Sequence, residues 1–484
     1  MKKFTKIVAT ISDRRCDVEF IRTLYENGLD VVRMNSAHLS REGFEKIINN
    51  VRAVSPSIGI MMDTKGPEIR TTTNIDDQPL KFNTGDKVAF TGNPTGTTTN
   101  DTICLSYPNI ANDVFPGAHI LIDDGEIDFL IERIEGDTIH ATAANQGTLG
   151  SRKSVNIPGV QVALPSVTER DRANILIAIE LGVDFIAHSF VRSDKDVHAV
   201  QEILDANNSN IKIISKIENQ EGVDNFDQIL DASYGIMVAR GDLGIEVPAE
   251  KIPGIQNMII QKCILKHKPV IVATQMLHSM IENPRPTRAE VSDIANAVNQ
   301  HTDALMLSGE TANGKYPIEA IATMSKVAAE VEQSLANQRP VPAFEADTTS
   351  FLSRQAVAST IVLGTKAIFT DSYSGRTARY ISSYRANYPT VALCYRHSTV
   401  RVLALSYGVM PMYEEGVTST RKYLLLALKR MINNKKLSRT DSIAYLGGTL
   451  GEGHGTSFLE INNAGEIMDN YSTFHLPNLE QPIK

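Results

Sequence analysis

Short runs of β-branched residues alternate with segments of helical periodicity from residue 6 to residue 335 of this 484-residue chain. The predicted strands are 6–11, 30–35, 59–63, 185–190, 211–217, 234–239, 269–276 and 304–307. The helices predicted to follow them are 18–27, 41–54, 169–181, 196–204, 220–230, 255–268, 288–299 and 317–335. Strands separated by helices pair in parallel, and eight such units predict a closed (β/α)8 TIM barrel. The active site of such a barrel lies at the carboxyl ends of its strands.

Two other regions do not follow this alternation. Residues 69–162 lose the helical period and contain short β-type runs bounded by turn pairs, which predicts a small all-β insertion after the third strand. Residues 337–350 are Pro-rich and aperiodic, as in a linker, and a smaller α/β pattern then has strands at 367–370, 391–395 and 443–446. The predicted domains are therefore a barrel (1–68 and 163–340), an all-β domain (69–162) and a C-terminal α/β domain (350–484).

Composition indicates a soluble globular protein. Apolar residues make up 42% of the chain and charged residues 21%, and the net charge of −8 argues against nucleic acid as a partner. We expect no membrane partner and no signal peptide, because no apolar run is long enough. The four cysteines have no zinc or disulfide spacing, which favours a reducing cytoplasm; they are Cys16, Cys104, Cys263 and Cys394.

The segment from 211 to 244 carries the strongest indication of chemistry. Lys216 and Glu218 are two residues apart at the end of one predicted strand, so both side chains project from the same face. Asp242 follows the next predicted strand, which ends at the same edge of the sheet. Two carboxylates there suit a hard divalent cation, and a lysine beside them suits a phosphate or an oxyanion. The alternatives are a buried ion pair for Lys216 and Glu218, and a helix cap for Asp242.

Other polar side chains follow the remaining predicted strands. Considered alone, Thr274 is interpreted as a packed strand residue, and Arg33 and Arg70 are interpreted as surface or ion-pair residues. Their common position at strand carboxyl ends is what predicts a catalytic rim. The candidate positions on this rim include Arg33, Asn35, Asp63, Arg70, His188, Ser189, Thr274 and the run Ser308-Gly309-Glu310-Thr311.

Five segments of this rim resemble the signatures of the pyruvate kinase family. They are MDTKGPEIR (62–70), ISKIENQEG (214–222), VARGDLG (238–244), ATQML (273–277) and SGETANGKYP (308–317). They occur in the family's order, and the insertion falls where that family carries a mobile β-barrel lid. The resemblance implies an enzyme that transfers the phosphoryl group of phosphoenolpyruvate to ADP, giving pyruvate and ATP in the last step of glycolysis.

The resemblance also implies a role for individual residues. Glu218 and Asp242 would hold Mg²⁺, or Mn²⁺ in its place, and Lys216 would stabilise charge on the transferred phosphoryl group and the enolate. Thr274 would contact the substrate and help to route the proton to the enolate, with Arg33 as a third catalytic residue. The substrate-binding set is Arg33, Lys216, Gly241, Asp242, Thr274 and Ser189. The nucleotide-binding set is Arg70, Lys153, Asn35 and His38.

The chain departs from the family at the expected K⁺ site. Asn35, Asp63 and Thr64 match the family's ligands, but Ala37 stands where the family has a serine. Ser36 is displaced by one position, which would turn it to the opposite face in an extended segment. Glu68, in contrast, is typical of K⁺-dependent members. We expect K⁺ dependence, against the indication from Ala37.

The C-terminal domain resembles the family's regulatory domain. Small hydroxyl residues before a helix form a natural phosphate site. The segment here contains Thr370, Ser372, Ser374, Gly375, Arg376 and Thr377, and it is opposite the glycine-rich run 446–457. A sugar-phosphate effector and a homotetramer are implied, although a plain loop and helix cap would have the same composition.

Two rival functions keep the barrel: a Mg²⁺-dependent lyase or aldolase acting on pyruvate enolates, and an inert metabolite sensor.

Overall fold

The computed structural model describes residues 3–335, 346–417, 419–448 and 455–470. The predicted alternation is present from the start of the chain, and side chains at the helix starts explain where the helices begin. Asp17 accepts a hydrogen bond from the backbone N–H of Phe20, and Ser40 accepts one from Gly43. The elements are β1 (Lys6–Thr10), α1 (Val18–Glu26), β2 (Val31–Asn35), α2 (Arg41–Val54) and β3 (Gly59–Asp63).

The predicted all-β insertion is also observed. Its strands are β4 (Ile69–Arg70), β5 (Leu80–Phe82), β6 (Lys87–Thr91), β7 (Thr102–Cys104), β8 (His119–Ile122), β9 (Ile127–Glu135), β10 (Thr138–Ala143), β11 (Gly147–Leu149) and β12 (Ser154–Asn156), with a 3-10 helix at Ile75–Asp77 and a short helix α3 (Ile110–Asp113). Seven strands pair in the order β4-β12-β8-β9-β10-β6-β7, and β11 pairs with β5. The insertion has its own core, in which the Phe129 ring meets Phe82 and Phe90 edge to face.

The strand–helix alternation then resumes. The elements are α4 (Glu169–Glu180), β13 (Phe185–His188), α5 (Asp194–Ala206), β14 (Lys212–Ile217), α6 (Gln220–Asp224), α7 (Phe226–Ala232), β15 (Gly235–Ala239), α8 (Arg240–Glu246), α9 (Ile252–Leu265), β16 (Val270–Ala273), α10 (Arg288–Asn299), β17 (Ala304–Leu307), α11 (Gly309–Ala312) and α12 (Pro317–Ser334). Short 3-10 helices lie at Ala249–Lys251 and His278–Ile281.

Within the described residues, eight strands close into a barrel in the order β1-β17-β16-β15-β14-β13-β3-β2. The pairs β1–β17, β1–β2, β14–β15 and β16–β17 are parallel, and Lys216 lies opposite Met237 in the third of them. Every residue of β15, β16 and β17 is buried, as expected for parallel strands covered on both faces. The predicted (β/α)8 barrel is therefore confirmed.

Several predicted elements have different ends in the structure, and three of them lie near the candidate rim. The strand predicted at 269–276 stops at Ala273, because Thr274 and Gln275 have positive φ angles of 68° and 56°. The strand predicted at 185–190 stops at His188. The helix predicted at 220–230 is two helices that meet at Asn225, whose side-chain amide donates to the carbonyl of Arg192. Beyond His188, Phe190 has a positive φ of 54°, so each of these three differences comes with a backbone angle or a side-chain contact that hydrophobic periodicity does not encode.

The C-terminal segment is α/β, as predicted. Its elements are α13 (Thr348–Val362), β18 (Ala367–Ser372), α14 (Arg376–Ser383), β19 (Thr390–Cys394), α15 (His397–Val402), a 3-10 helix at Leu403–Leu405, β20 (Val409–Tyr413), α16 (Thr420–Asn433), β21 (Ser442–Gly448), β22 (Thr456–Asn463) and α17 (Ala464–Asn470). In its described part, five strands pair in the order β20-β19-β18-β21-β22, with only β22 antiparallel to its neighbour.

The linker predicted at 337–350 is wrong at its end. Residues 348–350 belong to α13, and the Asp347 side chain caps that helix by accepting from the N–H groups of Thr349 and Ser350. Residues 337–345 of that prediction lie outside the described residues.

Contacts group the chain into two compact units. The first comprises Met1–Met62, Leu181–Phe185 and Ile259–Lys484, and the second comprises Asp63–Glu180 and Ile186–Met258. Because this grouping divides the barrel strands between the two units, it does not test the division into three domains, which stays a prediction. None of the helices built from described residues is both long and apolar enough to cross a bilayer.

In the first unit, one buried ion pair joins the C-terminal segment to the start of β17. The Arg385 guanidinium lies 3.1 and 3.0 Å from the two carboxylate oxygens of Asp303. It also donates to the carbonyl of His301, and Arg385 is only 2% exposed. This planar, two-pronged geometry satisfies both charges away from water.

We expect Arg385→Met to reduce the free energy of unfolding by about 3–5 kcal/mol, because it leaves the Asp303 carboxylate buried without its cation. Arg439→Met is the matched control, since Arg439 pairs with Asp469 at the surface; its cost should stay below about 1 kcal/mol. Urea unfolding of the full-length variants measures both. Equal effects would contradict a special role for the buried pair.

Candidate active site

Lys216, at the end of β14, lies at the centre of a buried charge cluster in the second unit. Its ammonium is 2.8 Å from Glu218 Oε1 and 3.3 Å from Asp63 Oδ1. It also donates to the hydroxyl of Ser189, at 2.8 Å. Strand alternation turns the preceding residue, Ser215, to the opposite face, where its hydroxyl bonds to Ser233. The predicted pairing of Lys216 with Glu218 is therefore observed, with two further polar partners.

Glu218 is almost fully buried, at 1% exposure. The backbone N–H of Phe190 donates to its Oε2 at 2.6 Å. Burial and the negative charge of Asp242 raise the pKa of Glu218 to about 7, although Lys216 acts in the opposite direction. A cation bound beside this carboxyl would favour its ionised form, so the group suits a metal ligand.

Asp242 is the third residue of α8 and does not cap it. The cap position belongs to Ala239, and no side chain caps this helix start. The helix-cap alternative for Asp242 is therefore wrong. Gly241 and Asp242 lie in the first helical turn, where backbone N–H groups point along the axis and favour an anion.

The donor set fits Mg²⁺. The charge of Asp242 acts on Glu218, so the two carboxylates share one environment. The described part of the chain contains no cluster of three or more His, Cys, Asp or Glu side chains arranged for a metal. Mg²⁺ is commonly held by one or two carboxylates and completes its shell with water and substrate oxygens, so two carboxylates suffice.

Ser189 and the residue before it support this cluster. The Ser189 hydroxyl donates to the Thr64 carbonyl at 2.7 Å, and its backbone N–H donates to the Thr64 hydroxyl at 3.0 Å. His188 is buried beside Thr64, and burial lowers its pKa to about 4, so the imidazole is neutral near pH 7. These contacts fix Thr64, the residue that directly follows β3.

The two cations predicted to bind nucleotide phosphate are both ion-paired inside the second unit. Arg70 makes a two-pronged contact with Glu68, at 2.9 and 2.7 Å. Lys153 lies 2.6 Å from Asp123 Oδ2. Both pairs are partly exposed, so a phosphate can compete with either carboxylate.

A cavity of about 220 Å³ lies between β12 of the insertion and α8. Ser154, Asn156, Asp242 and Glu246 contribute to its wall. The Asn156 amide donates to Glu246 at 3.1 Å and so links the two elements. The cavity borders one of the two proposed metal ligands.

The remaining candidates belong to the first unit. Arg33 is nearly buried and donates to the Thr10 hydroxyl at 2.9 Å, whereas His38 is exposed. Thr274 follows β16 in a left-handed conformation, with φ 68°. For a β-branched residue this backbone region costs about 1–3 kcal/mol, and such strain concentrates at functional sites.

The expected K⁺ ligands and effector residues lie in described parts of the chain, and their roles stay predictions. Asn35 Oδ1 accepts a hydrogen bond from the N–H of Ala37 in the first unit, while Asp63 and Thr64 are in the second. In the C-terminal segment, Gly375 precedes α14 with φ 86°, and the Thr377 and Thr456 hydroxyls are 2.8 Å apart. Residues 449–454 of the glycine-rich run lie outside the described residues.

Sequence reasoning missed several partners in this site. Glu68 was read only as a marker of K⁺ dependence, yet it pairs with Arg70; the spacing of two residues in an extended segment could have revealed this. Asp123 is thirty positions from Lys153, and nothing in the local pattern connects them. The Phe190 contact to Glu218 uses backbone, so it leaves no side-chain pattern.

Comparison with known proteins agrees with this geometry. A family model described as "Pyruvate kinase, barrel domain" matches residues 2–321, and one described as "Pyruvate kinase, alpha/beta domain" matches residues 351–462. The chain is 45% identical to a pyruvate kinase of Borreliella burgdorferi, covering 97% of this chain and 99% of that protein. It is 42% identical to one of Bacillus licheniformis, covering 96% of this chain and 81% of that protein.

Similarity extends to three-dimensional structure. A crystal structure of a pyruvate kinase from Cryptosporidium parvum superposes with a TM-score of 0.89 at 35% identity, covering 96% of each chain. The two family models, relatives that match nearly the whole chain and a solved structure all lead to the same assignment. This chain belongs to the pyruvate kinase family of phosphotransferases.

Proposed function

We propose that this protein transfers the phosphoryl group of phosphoenolpyruvate to ADP and releases pyruvate and ATP. The observation that carries the proposal is the buried Lys216, which lies 2.8 Å from Glu218 at the end of a barrel strand. Phosphoryl transfer requires little covalent chemistry from the protein and depends on positioned charge. A fixed ammonium in a site shielded from water supplies such charge.

Lys216 stabilises the negative charge on the phosphoryl group during transfer and on the enolate that remains. Glu218 and Asp242 would hold Mg²⁺, which neutralises charge on the substrate oxygens when bound. Glu218 must be ionised for this role, and the Phe190 N–H, at 2.6 Å, orients its carboxylate.

The backbone N–H groups of Gly241 and Asp242, at the start of α8, bind the substrate carboxylate. The preference of a helix start for anions supports this position for the carboxylate. Thr274 contacts the substrate and helps to route a proton to the enolate carbon, and Arg33 binds the substrate phosphate. For Thr274 and Arg33 the support comes from the family's motifs and, for Thr274, from its strained backbone.

The nucleotide is bound by Arg70 and Lys153, with Asn35 and His38 near it. Both cations already face a carboxylate, so the nucleotide phosphates exchange for Glu68 and Asp123 when ADP binds. The insertion acts as a lid over this site. Its closure excludes water and thereby protects the phosphoryl group from hydrolysis.

Three other properties belong to the proposal by family resemblance. Asn35, Asp63 and Thr64 would hold K⁺, whose charge would help to neutralise phosphate. A sugar phosphate binds at Thr370, Ser372, Ser374, Gly375, Arg376 and Thr377; the left-handed Gly375 before α14 supports an anion site there. The active protein is a cytoplasmic homotetramer.

The proposed function is tested by measuring pyruvate formation from phosphoenolpyruvate and ADP with Mg²⁺, first with K⁺ and then with tetramethylammonium. We expect activity that depends on K⁺. Equal activity with both cations would keep the enzyme assignment and make Ala37 the sign of a changed cation requirement. Absence of activity in both, with sugar phosphates added, would overturn the proposed function.

Lys216→Met should lower kcat by at least about 1000-fold, because it removes an electrostatic interaction that is stronger in the transition state than in the ground state. Mn²⁺ binding to the same variant, followed by electron paramagnetic resonance, should persist. Lys212→Met, on the same strand, is the control and should keep near-parent turnover. A Lys216→Met enzyme with kcat close to the parent would refute the assigned role.

Lys153→Ala should raise KM for ADP about 10-fold or more while KM for phosphoenolpyruvate changes less than about 3-fold, because only the nucleotide loses a charged contact. Lys87→Ala removes a comparable ion pair with Glu132 elsewhere in the insertion and serves as the control. Steady-state kinetics with each substrate varied distinguishes them. An unchanged ADP dependence would remove Lys153 from the site.

A further inference from the structure

Two consecutive residues after β16 adopt the left-handed conformation. Thr274 has φ 68° and Gln275 has φ 56°. Neither is glycine, and a β-branched threonine is a rare occupant of this region. The Thr274 hydroxyl donates to the carbonyl of Ala273 at 2.6 Å, which directs its proton back toward the strand. The loop therefore has a defined and strained geometry that the surrounding structure must maintain.

Glu310, in α11, holds the far end of this loop. It is 2% exposed, and its Oε1 accepts the backbone N–H of Leu277 at 3.1 Å. Its Oε2 accepts the backbone N–H of Ser308 at 2.8 Å. One buried carboxylate thus joins the loop after β16 to the loop after β17.

The near end of the loop is held by the barrel. Ala273 is the last residue of β16 and pairs with Met306 of β17. Met276 and Leu277 are fully buried, so the loop cannot relax outward without exposing apolar surface. Thr274 and Gln275 therefore lie between two anchors, the strand pairing on one side and Glu310 on the other.

We infer that Glu310 is a positioning residue that keeps Thr274 in its strained, working geometry. The inference rests on the proposed function, in which Thr274 contacts the substrate. The Ser308-Gly309-Glu310-Thr311 run stood out in the sequence as a strand end without an assigned role. Its carboxylate acts through the Leu277 N–H on the loop that carries Thr274, and it does not itself touch the substrate.

The test is Glu310→Gln, which keeps the size of the side chain but places an amide NH₂ against one of the two N–H donors. We expect kcat to fall about 10–100-fold, because a small displacement of a reacting group lowers the reaction rate by about this factor. KM for ADP should change less than about 2-fold. If Glu310→Gln folds poorly, Glu310→Asp is the substitute variant. Its side chain is too short to reach both N–H groups, so it should also lower kcat.

Glu332→Gln is the matched structural control. Glu332 is also buried in the first unit and also accepts two backbone N–H groups, from Phe4 at 2.7 Å and Thr5 at 2.6 Å. It should lose a comparable amount of stability in urea unfolding and keep its kcat. If Glu310→Gln and Glu332→Gln change kcat equally, the effect is general destabilisation and the inference is wrong.

A double-mutant cycle separates the inference from the proposed function. If Glu310 acts through Thr274, then Glu310→Gln should lower kcat less than about 3-fold in the Thr274→Ala background. If the kcat reductions of Glu310→Gln and Thr274→Ala multiply in the double variant, the inference is overturned and Thr274 is left as a catalytic residue. Full activity of Thr274→Ala alone would overturn both the role of Thr274 and the inference.

Hydrogen exchange tests the positioning without any activity. Peptides that cover residues 274–281 should exchange at least about 10-fold faster in Glu310→Gln than in the parent and in Glu332→Gln. Unchanged exchange would overturn the inference even if the protein proved to be an active pyruvate kinase. Faster exchange in a protein that makes no pyruvate would support the contact while the proposed function fails.

Discussion

Burial of the Lys216 ammonium beside two carboxylates is the interaction on which the candidate active site depends. Removing these charges from water is expensive, and the cost is offset only when each charge has close partners. Lys216 contacts Glu218 and Asp63, and its remaining donor capacity reaches Ser189. The cluster needs three strands to end at one level, which a closed parallel barrel provides.

The same cluster sets the electrostatics of the site. Burial and Asp242 raise the pKa of Glu218, so its carboxylate gains from a nearby cation. The phosphate-binding candidates in the insertion show the complementary arrangement, with Arg70 held by Glu68 and Lys153 held by Asp123. Arg70 and Lys153 each have a carboxylate partner, and the raised pKa of Glu218 shows that Lys216 does not fully offset the cost of burying its charge. A substrate that brings phosphate together with a divalent metal would satisfy both.

Most of the fold was predictable because it follows from periodicity. Parallel strands buried on both faces are recognisable as apolar runs, and their alternation with helices leaves few topologies. The errors occurred where one local contact overrode that pattern. Periodicity continued the strand at 269–276 through Thr274, but the backbone is left-handed at Thr274 and Gln275, and the N–H of Leu277 just beyond them donates to Glu310. Asn225 likewise divides one predicted helix into two.

Sequence alone determined the (β/α)8 class, the all-β insertion, the rim that carries Lys216, Glu218 and Asp242, and the family. The first three follow from residue types at short, regular spacings, because short-range geometry is the same in any chain. The family was identified from the resemblance of five sequence motifs to known signatures. Only the tertiary structure decided that Lys153 faces Asp123, that Asp63 joins the Lys216 cluster and that Glu310 anchors the loop of Thr274. Those partners are distant in sequence or bond through backbone groups, so no local pattern records them.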